Sequence, residues 1–387
     1  MQLQKLINQE RLAQTFIRLC ETDSPSRKEG QMAALVTEIL CALGADPPFE
    51  DDSAATTGSE CGNLIFRFAG NANLDPLFFN CHLDTVEPGT GVKVVRKDGI
   101  FTSQGETILG SDDKSGIAAM IEAFTVLLEN KLPHAPLEFV FTTCEEIGLL
   151  GAKALNPEYI QAKMGYALDS TGFGKVIIGA PAASRLSITV KGVAAHAGLH
   201  PEQGINAITL AAQALAVAPC GRIDEETTVN FGTIQGGAAS NIVAEQVVIQ
   251  GEVRSHCPEK VASLLATIKQ AFAQVIADWS DASGKARGLP ALEFRAKQDF
   301  PAMQLRAEDA VLQRLDAAAL RSNISLKHAV AGGGSDANIF NSCGLPTAII
   351  ATGMTHVHST EEQVSLEDMT NLTALLLALA ADPCSQL

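Results

Sequence analysis

Strand-like and helix-like patterns alternate along the first part of this chain, and this alternation limits the folds open to it. Short apolar runs typical of buried strands lie at residues 63–68, 76–81 and 137–142, and a helix-like stretch, 115–129, separates the last two. Because strands that alternate with helices form parallel sheets covered on both faces, the pattern predicts an α/β fold with a mostly parallel sheet. Ligands bind beyond the carboxyl ends of the strands in such sheets.

The pattern changes near residue 180, which indicates a second domain inserted into the first. Residues 186–191 and 247–253 alternate apolar and polar side chains, and a helix-like segment follows each of them. A chain of 387 residues also exceeds the size at which one hydrophobic core keeps growing. We therefore predict a helix-covered domain of residues 1–183 plus 294–387, and an inserted α+β sandwich of residues 184–293.

Charge and cysteine content exclude several classes of protein. The formal net charge of −16 argues against a nucleic-acid partner, which requires a basic surface. No apolar run approaches the ~20 residues of a membrane helix, and the N-terminus lacks the basic start and apolar centre of a signal peptide. The nine cysteines form no C-x-x-C motif, which favours reduced thiols. The sequence thus predicts a soluble, cytoplasmic protein without a membrane or nucleic-acid partner.

Polar residues with metal-binding side chains follow the predicted strands. Taken singly, each has an ordinary explanation: acidic residues at a helix start can cap it, and a lone aspartate after a strand is typical of a turn. Cys144 stands beside this group, but no activating neighbour indicates a nucleophile. Two imidazoles and three carboxylates at one sheet edge suit a pair of zinc ions, whereas a single zinc ion needs only three ligands. The five candidate ligands are His82, Asp112, Glu146, Asp169 and His358.

Short motifs surround the candidate ligands in a fixed order along the chain. They are H-x-D-x-V at His82, Asp84 and Val86; D-D-K-x-G at 112–116; E-E-x-G at 145–148; Asp169; and H-x-x-x-E at His358 and Glu362. In this order they resemble the co-catalytic zinc exopeptidase family that includes peptidase T and glutamate carboxypeptidases, and they are most similar to its peptidase T-like members. The resemblance runs over essentially the whole chain.

The resemblance implies a ligand set for two divalent ions, with zinc as the expected metal and manganese or cobalt as the alternatives. Asp112 would bridge the two ions. One ion would also take His82 and Asp169, and the other would take Glu146 and His358.

Further roles are implied by the same resemblance. Glu145 would be the general base and acid, and Asp84 would orient His82. Family members usually have a cis peptide bond after the bridging aspartate, here between Asp112 and Asp113.

The inserted region carries implied roles in substrate binding. His196 resembles a histidine that reaches the active site of a neighbouring subunit to stabilise the oxyanion, which implies a homodimer formed through a lid and dimerisation domain. Asn241 resembles a substrate-binding asparagine, and Arg254 resembles an arginine that binds the terminal carboxylate of the substrate. A surface histidine and a cross-strand ion pair are the ordinary alternatives for His196 and Arg254. Gly333 and Gly334 match a glycine-rich loop beside the site, where glycine lets the backbone approach substrate.

Together these features predict a two-metal exopeptidase, of the aminopeptidase or tripeptidase kind, that cleaves short peptides with a metal-activated water. An N-acyl or N-carbamoyl amino acid amidohydrolase is the alternative, because the motifs specify amide cleavage more than the side-chain pockets. The tripeptidases typically have an aspartate directly after this arginine, whereas Ser255 and His256 follow Arg254 here. This difference argues against strict tripeptide specificity. An inactive binding protein is a remote alternative, since Glu145 and all five ligands are present.

Overall fold

The computed structural model describes residues 3–383. The β-strands in this range are β1 (Phe49–Glu50), β2 (Leu64–Phe68), β3 (Leu77–His82), β4 (Val94–Lys97), β5 (Ile100–Ser103), β6 (Leu137–Thr142), β7 (Gly165–Ala167), β8 (Lys175–Ala180), β9 (Ala182–Lys191), β10 (Gly221–Asp224), β11 (Thr227–Gly236), β12 (Gln246–Ser255), β13 (Ala291–Phe300), β14 (Met303–Gln304), β15 (Lys327–Val330), β16 (Thr347–Ile350) and β17 (Gln363–Ser365).

The α-helices in the same range are α1 (Gln9–Cys20), α2 (Gly30–Ala42), α3 (Ala54–Thr57), α4 (Ser111–Glu129), α5 (Leu150–Ala154), α6 (Ala207–Val217), α7 (Pro258–Asp278), α8 (Ala310–Ser322), α9 (Asp336–Ser342) and α10 (Leu366–Ala380). Short 3-10 helices lie at Leu3–Leu6, Pro157–Tyr159 and Pro201–Gln203. None of the helices described is both long enough and apolar enough to cross a membrane.

The chain divides into two compact units. The first comprises the chain up to Gly179, Gln304–Ala331 and the chain from Ser335 onward, and the second comprises Ala180–Met303 with Gly332–Gly334. The predicted insertion, 184–293, lies inside the second unit. That unit extends further at its C-terminal side because β13 pairs with β9 as far as Phe300.

A nine-stranded sheet forms the centre of the first unit, in the order β1-β2-β6-β3-β7-β16-β8-β14, with β15 paired to β8. The neighbours β6, β3, β7 and β16 are all parallel to one another. The antiparallel pairs flank this group on both sides: β1 pairs with β2, β2 pairs with β6, and β8 pairs with β16. A smaller sheet has the order β17-β5-β4. The prediction of a mostly parallel sheet covered by helices is confirmed.

The central strands are buried on both faces. Every residue of β3 and β6 is buried, as expected for parallel strands that lie between two helical layers. Helix α4 is buried over most of its length and packs against α1, α10 and β3. Phe79, Phe124 and Phe139 pack their rings together in this region. Burying each such ring contributes about 1.5–3 kcal/mol, so the sheet forms a rigid support for the loops at its carboxyl edge.

The second unit has an antiparallel sheet in the order β10-β11-β12-β9-β13. One face of the sheet packs against α6 and α7, and Ile188, Ile249, Leu210 and Phe272 lie in the shared core. Buried and more exposed residues alternate along β9, because successive strand residues point to opposite faces. The prediction of a separate α+β domain is confirmed.

Candidate active site

Four of the five candidate ligands lie at the carboxyl ends of adjacent parallel strands. His82 is the last residue of β3, and Glu146 follows the end of β6. Asp169 follows β7, and His358 lies in the loop after β16. Because β6, β3, β7 and β16 are neighbours in the sheet, these side chains lie at the same edge.

Asp112 supplies the fifth carboxylate from the start of α4. Asp112 and Asp113 have non-helical dihedral angles, and the peptide bond between them is cis, as the resemblance implies. Oδ1 of Asp112 lies 3.1 Å from Nε2 of His82, and Oδ2 lies 3.4 Å from Nε2 of His358. The two oxygens of one carboxylate therefore face two different imidazoles.

Glu146 and Asp169 complete the cluster within the first unit. Nε2 of His358 lies 3.0 Å from Oε2 of Glu146. Ligand atoms of His82, Asp112 and Glu146 all lie within 4.8 Å of one another, which makes this group capable of holding a metal ion. Burial and the neighbouring charge of Asp112 raise the pKa of Asp169 well above its ordinary value.

The ring of His82 is held through its other nitrogen. Nδ1 lies 2.9 Å from the main-chain carbonyl oxygen of Asp84, whereas the carboxylate of Asp84 is 3.6 Å away. The carbonyl accepts the Nδ1 proton and thereby leaves the Nε2 lone pair for a metal ion. The Asp84 carboxylate instead accepts the main-chain N–H groups of Glu145, at 2.9 Å, and Glu146, at 3.2 Å. The hydroxyl of Ser26 donates to it at 2.6 Å.

The electrostatics of this cluster fit a cationic occupant. Burial, reinforced by the charge of Asp169, raises the pKa of Glu145 well above its ordinary value. Burial also raises the pKa of Glu146. Hydrogen bonds with Asp112 and Glu146 raise the pKa of His358 to about 10. Carboxylates crowded together in a buried site repel one another, and a divalent cation compensates them. The donor set of imidazole nitrogens and carboxylate oxygens is the set that zinc takes.

Cys144 precedes Glu145 but is not activated. Its N–H and its thiol both donate to Oε1 of Glu29, at 3.0 and 3.3 Å. Burial raises the pKa of the Cys144 thiol to about 12, so the side chain stays protonated near neutral pH. This agrees with its interpretation as a buried thiol.

Two further buried carboxyls lie near the cluster, and neither is among the site residues predicted from the sequence. Asp113 accepts the main-chain N–H of His82 at 3.3 Å, and burial raises its pKa. Asp336, after the glycine run, accepts the Thr142 hydroxyl at 2.5 Å, and burial raises its pKa to about 6. Both residues are next to recognised motifs, which could have indicated them in the sequence. Their burial, by contrast, depends on the tertiary structure.

In the second unit the segments of His196 and Asn241 are neighbours. The N–H of Ala197 donates to the carbonyl oxygen of Asn241 at 2.9 Å. Both side chains are exposed. Nδ1 of His196 accepts the N–H groups of Gly198 and Leu199, each at 3.2 Å. The proton of the neutral ring is therefore on Nε2, which makes this atom a hydrogen-bond donor.

The structure also brings Arg254 and the glycine run together in this unit. A Cβ on Gly333 would lie 3.9 Å from Nη1 of Arg254. The guanidinium forms an ion pair with Glu252, with Nε and Nη2 each 3.0 Å from a carboxylate oxygen. The two residues are on one strand and one face, so the pair runs along β12 and not across strands. A Cβ on Gly334 would overlap the ring of Phe300, so packing within this unit requires glycine there.

Comparisons with known proteins relate this arrangement to peptidases. Three family models match parts of the chain: the peptidase dimerisation domain over residues 178–280, peptidase family M28 over 63–206 and the M42 glutamyl aminopeptidase over 302–375. The protein YqjE of Bacillus subtilis is 38% identical over 375 residues, which cover 97% of this chain and 98% of that protein.

Among the solved structures that match nearly the whole chain are an aminopeptidase and a tripeptidase. The aminopeptidase PepT from Bacillus cereus is 39% identical, with a TM-score of 0.87, over 97% of this chain and 98% of that chain. A tripeptidase from Staphylococcus aureus is 35% identical, with a TM-score of 0.88 and the same coverage of the two chains. With similarity of this extent, and with the acidic and histidine cluster at the sheet edge, the chain belongs to the peptidase T-like metallopeptidase family and is a hydrolase.

Proposed function

We propose that this protein is a two-metal exopeptidase that hydrolyses short peptides, of two or three residues. The observation that carries the proposal is the placement of Asp112, whose two carboxylate oxygens face His82 and His358 separately. A carboxylate that faces two imidazoles in this way is suited to bridge two ions. The similar proteins named aminopeptidase and tripeptidase support a short peptide as the substrate.

The residues divide into two ligand groups around Asp112. His82 and Asp169 would complete one site, and Glu146 and His358 would complete the other. Zinc is proposed because the donor set consists of imidazole nitrogens and carboxylate oxygens. Manganese and cobalt accept the same ligands and are the alternatives. When bound, the ions would polarise the scissile carbonyl and acidify a water molecule.

Glu145 is the proposed general base and acid. Its side chain is 9% exposed, and its backbone is held by the hydrogen bond to Asp84. Burial raises its pKa, which favours a group that takes a proton from water and then delivers it to the leaving nitrogen. The reacting proton would thus pass through one carboxylate.

Residues of the second unit are proposed to bind substrate and to act between subunits. The Nε2 proton of His196 would stabilise the oxyanion in the active site of a second copy. The match to a peptidase dimerisation domain over residues 178–280 supports this homodimer. Arg254 would bind the terminal carboxylate of the peptide through its planar fork, and Asn241, Gly333 and Gly334 would border the substrate.

A cytoplasmic location is part of the proposal. It is supported by the cysteines, which are all free among those in residues 3–383. Disulfide bonds are rare where thiols are kept reduced, as in the cytoplasm.

A substrate panel tests the proposal. The purified protein, loaded with zinc, manganese or cobalt, is assayed on dipeptides, tripeptides, N-acyl amino acids and N-carbamoyl amino acids. We expect hydrolysis of short peptides with a free amino terminus, abolished by a chelator and restored by metal. Cleavage of N-acyl or N-carbamoyl amino acids alone would favour an amidohydrolase, and no hydrolysis with any metal would favour a binding protein.

A further inference from the structure

Glu362, directly before β17, has a buried carboxylate that binds one short segment of the chain. Its side chain is 1% exposed. Oε2 accepts the main-chain N–H groups of Leu109 and Gly110, each at 2.8 Å. Oε1 accepts the hydroxyl of Ser111 at 2.6 Å and the main-chain N–H of Asp112 at 3.1 Å. Four donors from four successive residues therefore converge on one carboxylate.

Two of these bonds, from Gly110 and Asp112, satisfy main-chain N–H groups that the start of α4 cannot satisfy locally. The first N–H groups of a helix have no partner within the helix. Gly110 is at the N-cap position and makes no side-chain capping bond. Glu362 supplies the missing acceptor from a distant part of the sequence. Because a buried charge is costly unless it is hydrogen-bonded, the four donors in turn stabilise the carboxylate.

Glu362 also belongs to the loop that carries His358. That loop is closed by a pair of main-chain hydrogen bonds between Thr355 and Gln363, at 2.9 and 3.1 Å. Glu362 is next to Gln363, so its position is tied to the base of the loop. The segment that ends in Asp112 is thereby attached to the loop that bears His358.

We propose that Glu362 is a positioning residue for the metal centre. It fixes the backbone of Asp112 relative to the loop of His358, so that Oδ2 of Asp112 faces Nε2 of His358. Groups that hold metal ligands in the correct orientation raise the affinity of the site for the metal, because the ligands need not be ordered on binding. The inference rests on the proposed function, because it assigns Glu362 a role toward the proposed metal ligands.

The test is a comparison of Glu362→Gln with Glu138→Gln. In Glu362→Gln, an amide NH₂ group takes the place of one carboxylate oxygen. It then faces two of the four hydrogen-bond donors and cannot accept from them. We expect zinc affinity, measured by chelator competition on metal-depleted protein, to fall roughly 10- to 100-fold. We also expect kcat to fall while KM changes little, because the substrate-binding residues proposed above are elsewhere.

Glu138 is a matched control at the amino-terminal half of β6. It is also buried, and it accepts the N–H groups of Gln161 and Ala162, each at 2.8 Å, and Nε of Arg67 at 3.0 Å. We expect Glu138→Gln to lower the melting temperature but to leave zinc affinity and kcat unchanged. A merely structural role for Glu362 would give the same result for both variants.

Ser111→Ala provides a second, milder variant, since it removes only one of the four bonds. We expect a smaller loss of zinc affinity, in the same direction, from a folded protein. If Glu362→Gln does not fold, Ser111→Ala decides the question. Wild-type zinc affinity and kcat in the folded variants overturn the inference while the proposed function stands. A wild-type protein that binds no zinc, manganese or cobalt overturns the proposed function itself, and with it the inference.

Discussion

The main-chain N–H of Glu145 donates a hydrogen bond of 2.9 Å to the carboxylate of Asp84. The same carboxylate accepts the N–H of Glu146 and the hydroxyl of Ser26. His82, by contrast, is held by the main-chain carbonyl of Asp84. The Asp84 carboxylate therefore acts mainly on the loop of the proposed base, in addition to its implied role toward the imidazole.

Asp84→Asn is expected to lower kcat because its amide would place N–H donors against the N–H groups of the Glu145 loop. A buried donor left unsatisfied costs about 1–3 kcal/mol, and a loss of this size in transition-state stabilisation is roughly 5- to 160-fold in rate. Steady-state kinetics on a cleaved peptide measures it. Ser26→Ala removes one bond and should have a smaller effect. A wild-type kcat in Asp84→Asn would contradict the positioning role.

Glu145→Gln is expected to keep the metal content and to lose turnover, because glutamine cannot take a proton from water. General-base catalysis contributes roughly 10²- to 10⁴-fold to the rate, so kcat should fall by roughly 100-fold or more. Cys144→Ser is the matched control at the adjacent position, and its kcat should stay near the wild-type value. Substantial activity in folded Glu145→Gln would remove the assigned role.

Asp112→Ala is expected to lower the content of both metal ions, because one carboxylate faces both proposed sites. Elemental analysis should find about two ions per wild-type chain and a clear loss in the variant. His356→Asn is a control in the loop of His358, and it should retain its metal. An unchanged stoichiometry in Asp112→Ala would refute the bridging role.

Mixing two inactive variants tests whether His196 acts in a second subunit. His196→Ala and Glu145→Gln should each be nearly inactive. In a mixed dimer, one site combines an intact Glu145 with an intact His196 from the other chain. Random exchange should restore about a quarter of wild-type activity, since half of the dimers are mixed and each has one complete site. No recovery after proven subunit exchange, or a fully active monomer, would contradict the role between subunits.

Glu252→Gln is expected to strengthen the binding of peptides with a free terminal carboxylate, because it frees Arg254 from its ion pair. The two side chains are 33% and 38% exposed. Partly exposed pairs contribute about 0–1 kcal/mol, so KM should fall at most about 5-fold. Peptides with an amidated terminus are the control. An equal change in KM for amidated peptides would show that Arg254 does not bind the carboxylate.

The fold class could be predicted because its signals are local. Strands β3 and β6 are mostly apolar over several successive residues, which indicates burial on both faces, and alternation along β9 indicates a half-buried strand. The bounds of the insertion depend on pairing instead. Strand β13 pairs with β9 across a sequence separation of about a hundred residues, and no periodicity near residue 293 reveals where that pairing ends.

The sequence by itself determined the fold class, the order of the motifs and the placement of His82 and Glu146 after central strands, because each depends on neighbouring residues. Only the tertiary structure decided what those side chains meet. Asp112 meets Glu362, which is 250 positions away, and its two oxygens face two imidazoles from different loops. Such contacts follow from packing between distant segments, whereas patterns along the chain report only local periodicity.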